Sequence, residues 1–275
     1  MKILSPDSLL LQDLPANLKA SFSTVQVSEL RDYKAEMGRT LIVADNLAGA
    51  ELVNHVLSQD LRFLLQKNPK FFVEDLETAA RLLESPQSYF AKAEEVLLPS
   101  LEKKMSAEFC SPNDKAALKT NCHDFISDLN SQNVAESLEA ILEELYMNAI
   151  LDAPVEAKKR GWKHDLYDQG QKARMTIVRN ATRLFITCED PFGALEPKKF
   201  LGRLHQVLEQ GAGEVMNFKK EGGAGIGCSL IFEHCSSLFL GVLPQKKTVV
   251  SCAIPLGLSY RQRAKMQKSL HLIEI

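Results

Sequence analysis

The chain has 275 residues, 45% hydrophobic and 25% charged, the composition of a folded globular protein long enough for one large domain or two ordinary ones. Its 33 basic and 35 acidic side chains leave a formal charge of -2, which argues against a dedicated nucleic-acid binder, whose affinity rests on clustered Lys and Arg. No apolar run approaches the roughly 18 residues of a membrane span, and the start MKILSPDSLLLQDL lacks the order of a signal peptide. A cytoplasmic location is therefore expected, with neither a membrane nor a nucleic-acid partner.

In chain order, KIL (2–4), STVQV (23–27) and TLIVAD (40–45) predict strands, being rich in β-branched and aliphatic residues. AELVNHVL and VEDLETAARLL carry apolar residues at helical spacing, the second with acidic residues in its first turn. Strands alternating with helices predict a small α/β layer with a parallel sheet over residues 1–90. Ser-Pro in SPQSYF (85–90) breaks the pattern; linking helices are expected over 91–130, with a stop at CSPND (110–114). The charged stretch AKKRGWKHDLYDQGQKAR (157–174) reads as a long exposed loop. TIVRN, LFITCED, LFLGVLP and TVVSCAIP predict further strands, and YRQRAKMQKSLHLIEI a docked tail of helix and edge strand. The six cysteines contain no CxxC pair, so reduced core thiols are expected rather than a zinc site.

Three segments of the C-terminal half point to chemistry. In SLEAILEELYMNAILDAP, Leu138, Ile141, Leu142, Leu145 and Ile150 recur at helical spacing and predict an amphipathic helix. Glu144, Asn148 and Asp152 stand four apart and share one stripe of it, a set of oxygen donors suited to Mg²⁺. In LFITCEDPFGAL a strand runs into Asp190, and Pro191 and Gly193 force a turn. A carboxylate there can accept from an amine such as that of adenine. In KKEGGAGIGCSLIFEHC, Gly222, Gly223, Gly225 and Gly227 lead into a helix, where close backbone approach lets successive N–H groups face a phosphate. Each segment alone also has a bland explanation: a solvated helix face, a strand-ending turn, a flexible linker.

Their order resembles the GHKL (histidine-kinase-like) ATPase superfamily, over about residues 130–256. The phrases Asn148-Ala149-Ile150-Leu151-Asp152-Ala153-Pro154 and Asp190-Pro191-Phe192-Gly193-Ala194-Leu195 are similar to NAIxDAP and DPFGxL of bacterial signalling proteins. The resemblance implies a Bergerat-type α/β sandwich over 131–275 that binds ATP or ADP between helices and a mixed sheet. It implies that Asn148 holds Mg²⁺, that Glu144 orients or deprotonates an attacking group, and that Asp190 holds the adenine amine while Gly193 lets the base approach. Gly223, Gly225 and Gly227 would form the phosphate lid, with Gly222 before them, and Thr248 would support the adenine region.

The chain departs from the family in carrying Phe192 where many relatives have glycine, and Ile226 and Cys228 within the lid pattern. The implied role is signal transduction, by phosphoryl transfer to a partner signalling protein or as a catalytically inactive, nucleotide-dependent interaction module; a homodimer stays open. His123 in NCHDFISDL is a weak phosphoacceptor candidate. Residues 1–90 resemble a degenerate receiver domain, with Asp45 at the phosphoacceptor place but only Asp7 in Ser5-Pro6-Asp7 where an acidic pair is needed.

Overall fold

A computed structural model describes residues 2–5, 23–26, 40–44, 47–68, 70–129, 131–211 and 226–275. The class is α/β, and the chain divides into two units. The first comprises Met1–Pro86, Pro197–Ser229 and Met266–Ile273; the second comprises Gln87–Glu196, Leu230–Lys265 and Glu274–Ile275. Asp7 and Asp45 lie outside the described residues.

In the first unit, β1 (Lys2–Ser5) lies between β2 (Ser23–Gln26) and β3 (Thr40–Ala44), and β3 pairs with β4 (Phe63–Gln66), all in parallel. All five residues of β3 and all four of β4 are buried, as expected of parallel strands covered on both faces. The covering helices are α1 (Gly49–Gln59), which buries Leu52, Val53 and Val56, and α2 (Phe72–Glu84), which buries Leu76, Ala79, Leu82 and Leu83. Both stripes follow the 3.6-residue period of their sequences.

Three further elements are described in sequence order. They are α3 (Pro86–Leu97), whose backbone leaves helical geometry at Lys92, β5 (Lys103–Phe109) and α4 (Lys115–Ile126). β5 corrects the expectation that this stretch is helical. In KKMSAEF the less exposed positions are Met105, Ala107 and Phe109, alternating with polar Lys104, Ser106 and Glu108, and the strand ends on buried Phe109. The period of two is there, but it is only three residues long and one of them is Ala, so the helical signals on either side outweigh it.

Next come α5 (Gln132–Met147), a π-helical turn (Asn148–Asp152) and α6 (Ala153–Lys159). The single long helix expected over this stretch is therefore interrupted. Pro154 lacks an N–H, so the carbonyl four residues before it loses its regular partner, and Ala153 N–H donates instead to Asn148 O, five residues back.

The second unit is completed by β6 (Ala173–Arg179), β7 (Arg183–Asp190), β8 (Ser237–Leu243) and β9 (Lys247–Pro255), in the order β8-β9-β7-β6-β5 with every neighbour antiparallel. On one face Leu138, Ile141, Leu142 and Leu145 of α5 are buried, and the Cys188 thiol of β7 lies 3.7 Å from Leu145 O. Tyr146 stacks on Phe109 at 4.8 Å and donates to Ser111 O, which fixes the rotation of α5 about its axis.

Four elements remain. α7 (Pro197–Gln210) packs against α1 in the first unit, and β10 (Ser269–Glu274) pairs antiparallel with β4 there. α8 (Ile226–His234) opens directly after the Gly-rich segment. The tail is docked as expected: five of the six β10 residues are buried, and the short helix α9 (Tyr260–Ala264) precedes β10 in sequence. Cys122, Cys188, Cys235 and Cys252 are buried thiols, and no helix among the described residues is long and apolar enough to cross a membrane.

Candidate functional site

Asp190 ends β7, and the antiparallel register places it directly opposite Thr248 of β9. Opposed residues of a sheet point to the same face, so the carboxyl and the hydroxyl stand together although 58 positions apart in sequence. The start of β9 is pinned by Lys247, whose Nζ donates to Glu189 Oε2 at 2.7 Å and to Phe90 O at 3.1 Å.

Asp190 is only 9% exposed. Phe192 N–H donates to its Oδ1 at 2.9 Å, and Gly193 N–H also points to the carboxylate, as the turn at Pro191 requires. Burial pushes the Asp190 carboxyl up to about 6, against the pull of these two N–H groups and of the Thr248 hydroxyl. The Thr248 hydroxyl is buried and faces the carboxylate, to which it acts as a hydrogen-bond partner of imperfect geometry. The carboxylate keeps lone pairs beyond those taken by the two N–H groups and this hydroxyl.

The turn after Asp190 is held from two sides. Gly193 has φ +58, and a Cβ there would stand 2.1 Å from Leu243 O and 2.9 Å from both Gln245 N and Lys246 N. The space left by its missing side chain is thus filled by the backbone of the β8–β9 turn. Phe192 packs in a buried cluster with Ala153, Ala157, Leu166 and Ala194, edge-on to the Tyr167 ring at 5.0 Å. The Tyr167 hydroxyl donates to Ala149 O in the π-turn at 2.9 Å. Burial, then the Asp190 carboxylate, hold the Tyr167 phenol well above its usual range.

Tyr167 is therefore the link between two of the sequence segments: through it the Asn148–Asp152 turn and the Asp190–Gly193 turn form one assembly. Sequence reasoning placed Tyr167 in an exposed loop. The loop is charged but docked, with Leu166 buried and Trp162 and Tyr167 packed on the cluster. The signal was present: Trp162, Leu166 and Tyr167 recur at helix-like spacing within an otherwise polar stretch.

On the helix, Glu144 and Asn148 are half-buried and Asp152 is exposed. Burial raises the Glu144 carboxyl above its ordinary value, and the Asp152 and Glu143 carboxylates add to that rise, so Glu144 and Asp152 face a common region as the four-residue spacing predicts. Glu143, one residue earlier, has turned away to pair with Lys115 and Lys119.

Of the four lid glycines, Gly227 sits in the first turn of α8, while Gly222, Gly223 and Gly225 lie outside the described residues. His123 is on α4, about half exposed, with Nε2 3.8 Å from Glu139, and belongs to a surface charge cluster with Lys119. Among the described residues no three His, Cys, Asp or Glu side chains gather as a metal cage.

The Asp190 carboxylate can accept from an amine, and the Thr248 hydroxyl beside it can donate or accept. The Asn148 amide and the Glu144 carboxyl are oxygen donors of the kind that a Mg²⁺–phosphate group takes in small number.

No family model matches the chain, and no curated protein does. Among solved structures, a chain in the crystal structure of the SiaB–SiaC complex from Pseudomonas aeruginosa is similar at 14% identity and a TM-score of 0.37, covering 64% of this chain and 98% of that one.

Proposed function

We propose that the second unit binds an adenine nucleotide with Mg²⁺, and that the chain acts in signalling as a nucleotide-dependent module. The observation that carries the reading is the Asp190–Thr248 pair, a carboxyl raised by burial that keeps lone pairs beyond its bonds to Phe192, Gly193 and Thr248. Burying an ionisable carboxyl opposes folding, so a ligand that donates to its remaining lone pairs explains why it is there. Asp190 would accept the exocyclic amine of adenine and Thr248 would bond a ring nitrogen or a bridging water. Asn148 would offer its amide oxygen to Mg²⁺, which when bound neutralises phosphate charge. Phe192 and Tyr167 act as a packed wall that fixes the direction of the carboxylate.

A second reading, phosphoryl transfer to a partner protein or to water, is favoured by Glu144. Its carboxyl is raised by burial and by Asp152, which brings it nearer the range in which a carboxylate works as a general base.

Base selectivity tests the binding reading. ATP should displace a fluorescent ATP analogue, and GTP should not, because guanine presents a carbonyl oxygen to Asp190 where adenine presents an amine. Equal displacement by both nucleotides would refute the role given to Asp190. The enzyme reading predicts ADP formation by the wild type in the presence of a partner, lost in Glu144→Ala at similar nucleotide affinity.

A further inference from the structure

Five large hydrophobic side chains are exposed among the described residues, and three of them, Met147 (37%), Leu151 (45%) and Val155 (51%), fall on one helix at spacing four. Scattered exposed hydrophobics are ordinary, whereas a row of them is a surface that another molecule covers. Four residues overshoot a 3.6-residue turn by about 40°, so an unbroken α-helix would spread this row over about 80°. The wider Asn148–Asp152 turn offsets that drift and holds the row together.

The charges along the same helix select the occupant. Its N-terminal part carries Glu139, Glu143 and Glu144, and its C-terminal end carries Lys158, Lys159 and Arg160. Counted outward from Leu151, Met147 mirrors Val155 and Glu144 mirrors Lys158, while Glu143 is already paired with Lys115 and Lys119. A helix with this pattern complements itself when reversed. Two copies packed antiparallel about a two-fold axis at Leu151 would bury the apolar rows against each other and set Glu144 of each against Lys158 of the other. Parallel packing would set acid on acid and base on base. Lys158 is exposed and Lys159 is held only by an exposed pair with Glu156, so both are available.

We propose that this face, from Met147 to Val155 with Glu144 and Lys158 at its ends, is an antiparallel docking surface for a second copy of this chain. With so short an apolar row the association is weak and reversible, in the micromolar range.

Analytical ultracentrifugation of the full chain without nucleotide, from about 1 to 200 μM, tests this independently of the nucleotide site. A monomer–dimer equilibrium is expected, with Leu151→Glu and Val155→Lys each weakening it about tenfold or more while circular dichroism and the thermal melt stay like those of the wild type. Lys158→Glu alone should weaken it, and the Glu144→Lys/Lys158→Glu double variant should recover it, as only reversed packing allows. A chain monomeric throughout, a dimer indifferent to Leu151→Glu and Val155→Lys, or a double variant no better than the single one would overturn the proposal.

Discussion

Asp190→Asn separates what the buried carboxylate does to stability from what it does for a ligand. The carboxyl titrates at about 6 in the folded protein against an ordinary 3.8, a difference worth about 3 kcal/mol. The sign follows from which state holds the proton more tightly. Below pH 3.8 the group is protonated whether the chain is folded or not, and contributes nothing. As pH rises towards 6 the unfolded chain releases its proton first and the folded state loses stability. Above 6 the full penalty applies. Asparagine keeps the shape, can still accept from Phe192 N–H, and does not ionise. The stability of Asp190→Asn relative to wild type should therefore improve by about 2 kcal/mol between pH 4 and pH 7.5. Chemical denaturation at the two pH values measures this, followed through Trp162, the one tryptophan of the chain, which packs on the cluster beside the site. Comparing variant with wild type at each pH cancels the other titrating groups. Parallel pH dependence of the two proteins would refute the claim that burial penalises the ionised Asp190 carboxylate.

Other outcomes follow from the same geometry. Thr248→Val keeps the shape and removes the hydroxyl that faces Asp190, so thermal stability should change by no more than about 1 kcal/mol while ATP affinity falls; unchanged ATP affinity would refute the role given to Thr248. Gly193→Ala should destabilise by more than about 2 kcal/mol in a thermal melt, since positive φ and the backbone of the β8–β9 turn both oppose a Cβ, whereas Gly202→Ala, exposed on α7 with nothing within 4 Å, should stabilise by roughly 0.5–1 kcal/mol. Tyr167→Phe should lose about 1 kcal/mol through its bond to Ala149 O and speed amide exchange in the π-turn, which hydrogen-exchange mass spectrometry would detect. If the protein turns ATP over, the acid limb of its pH–rate profile should lie above the ordinary 4.5 of a glutamate, because Glu144 must be deprotonated and its carboxyl is raised, and Glu144→Gln should abolish the turnover.

Much of the fold was legible because its elements bury one face. TLIVAD reads as a strand and is β3; VEDLETAARLL reads as a helix and lies in α2; LFITCED and TVVSCAIP read as strands and are β7 and β9. β5 was missed although Met105, Ala107 and Phe109 alternate with Lys104, Ser106 and Glu108, because three positions, one of them alanine, make a weak strand signal between helical stretches. The π-turn was not legible either: Pro154 announces a disturbance of the helix, but whether the chain ends, kinks or widens there depends on packing around Ala149 and Ile150.

At the site, Glu144, Asn148 and Asp152 could be grouped by helical spacing alone, and Asp190 by its strand-ending turn. The pairing of Asp190 with Thr248 is a matter of sheet register, which local sequence does not contain. The place of Tyr167 is a tertiary fact of the same kind: an aromatic in a charged loop names no partner until Phe192 and Ala149 are brought to it.

The most direct test of the central claim is calorimetric titration of the full chain with ATP and Mg²⁺, for wild type and Asp190→Asn side by side. The account predicts saturable binding at one site per chain in the wild type, weakened in the variant by about 1–3 kcal/mol, or roughly five- to 150-fold, since the variant replaces the charged acceptor of the adenine amine. No binding heat from the wild type, or equal affinity in the two proteins, would contradict it.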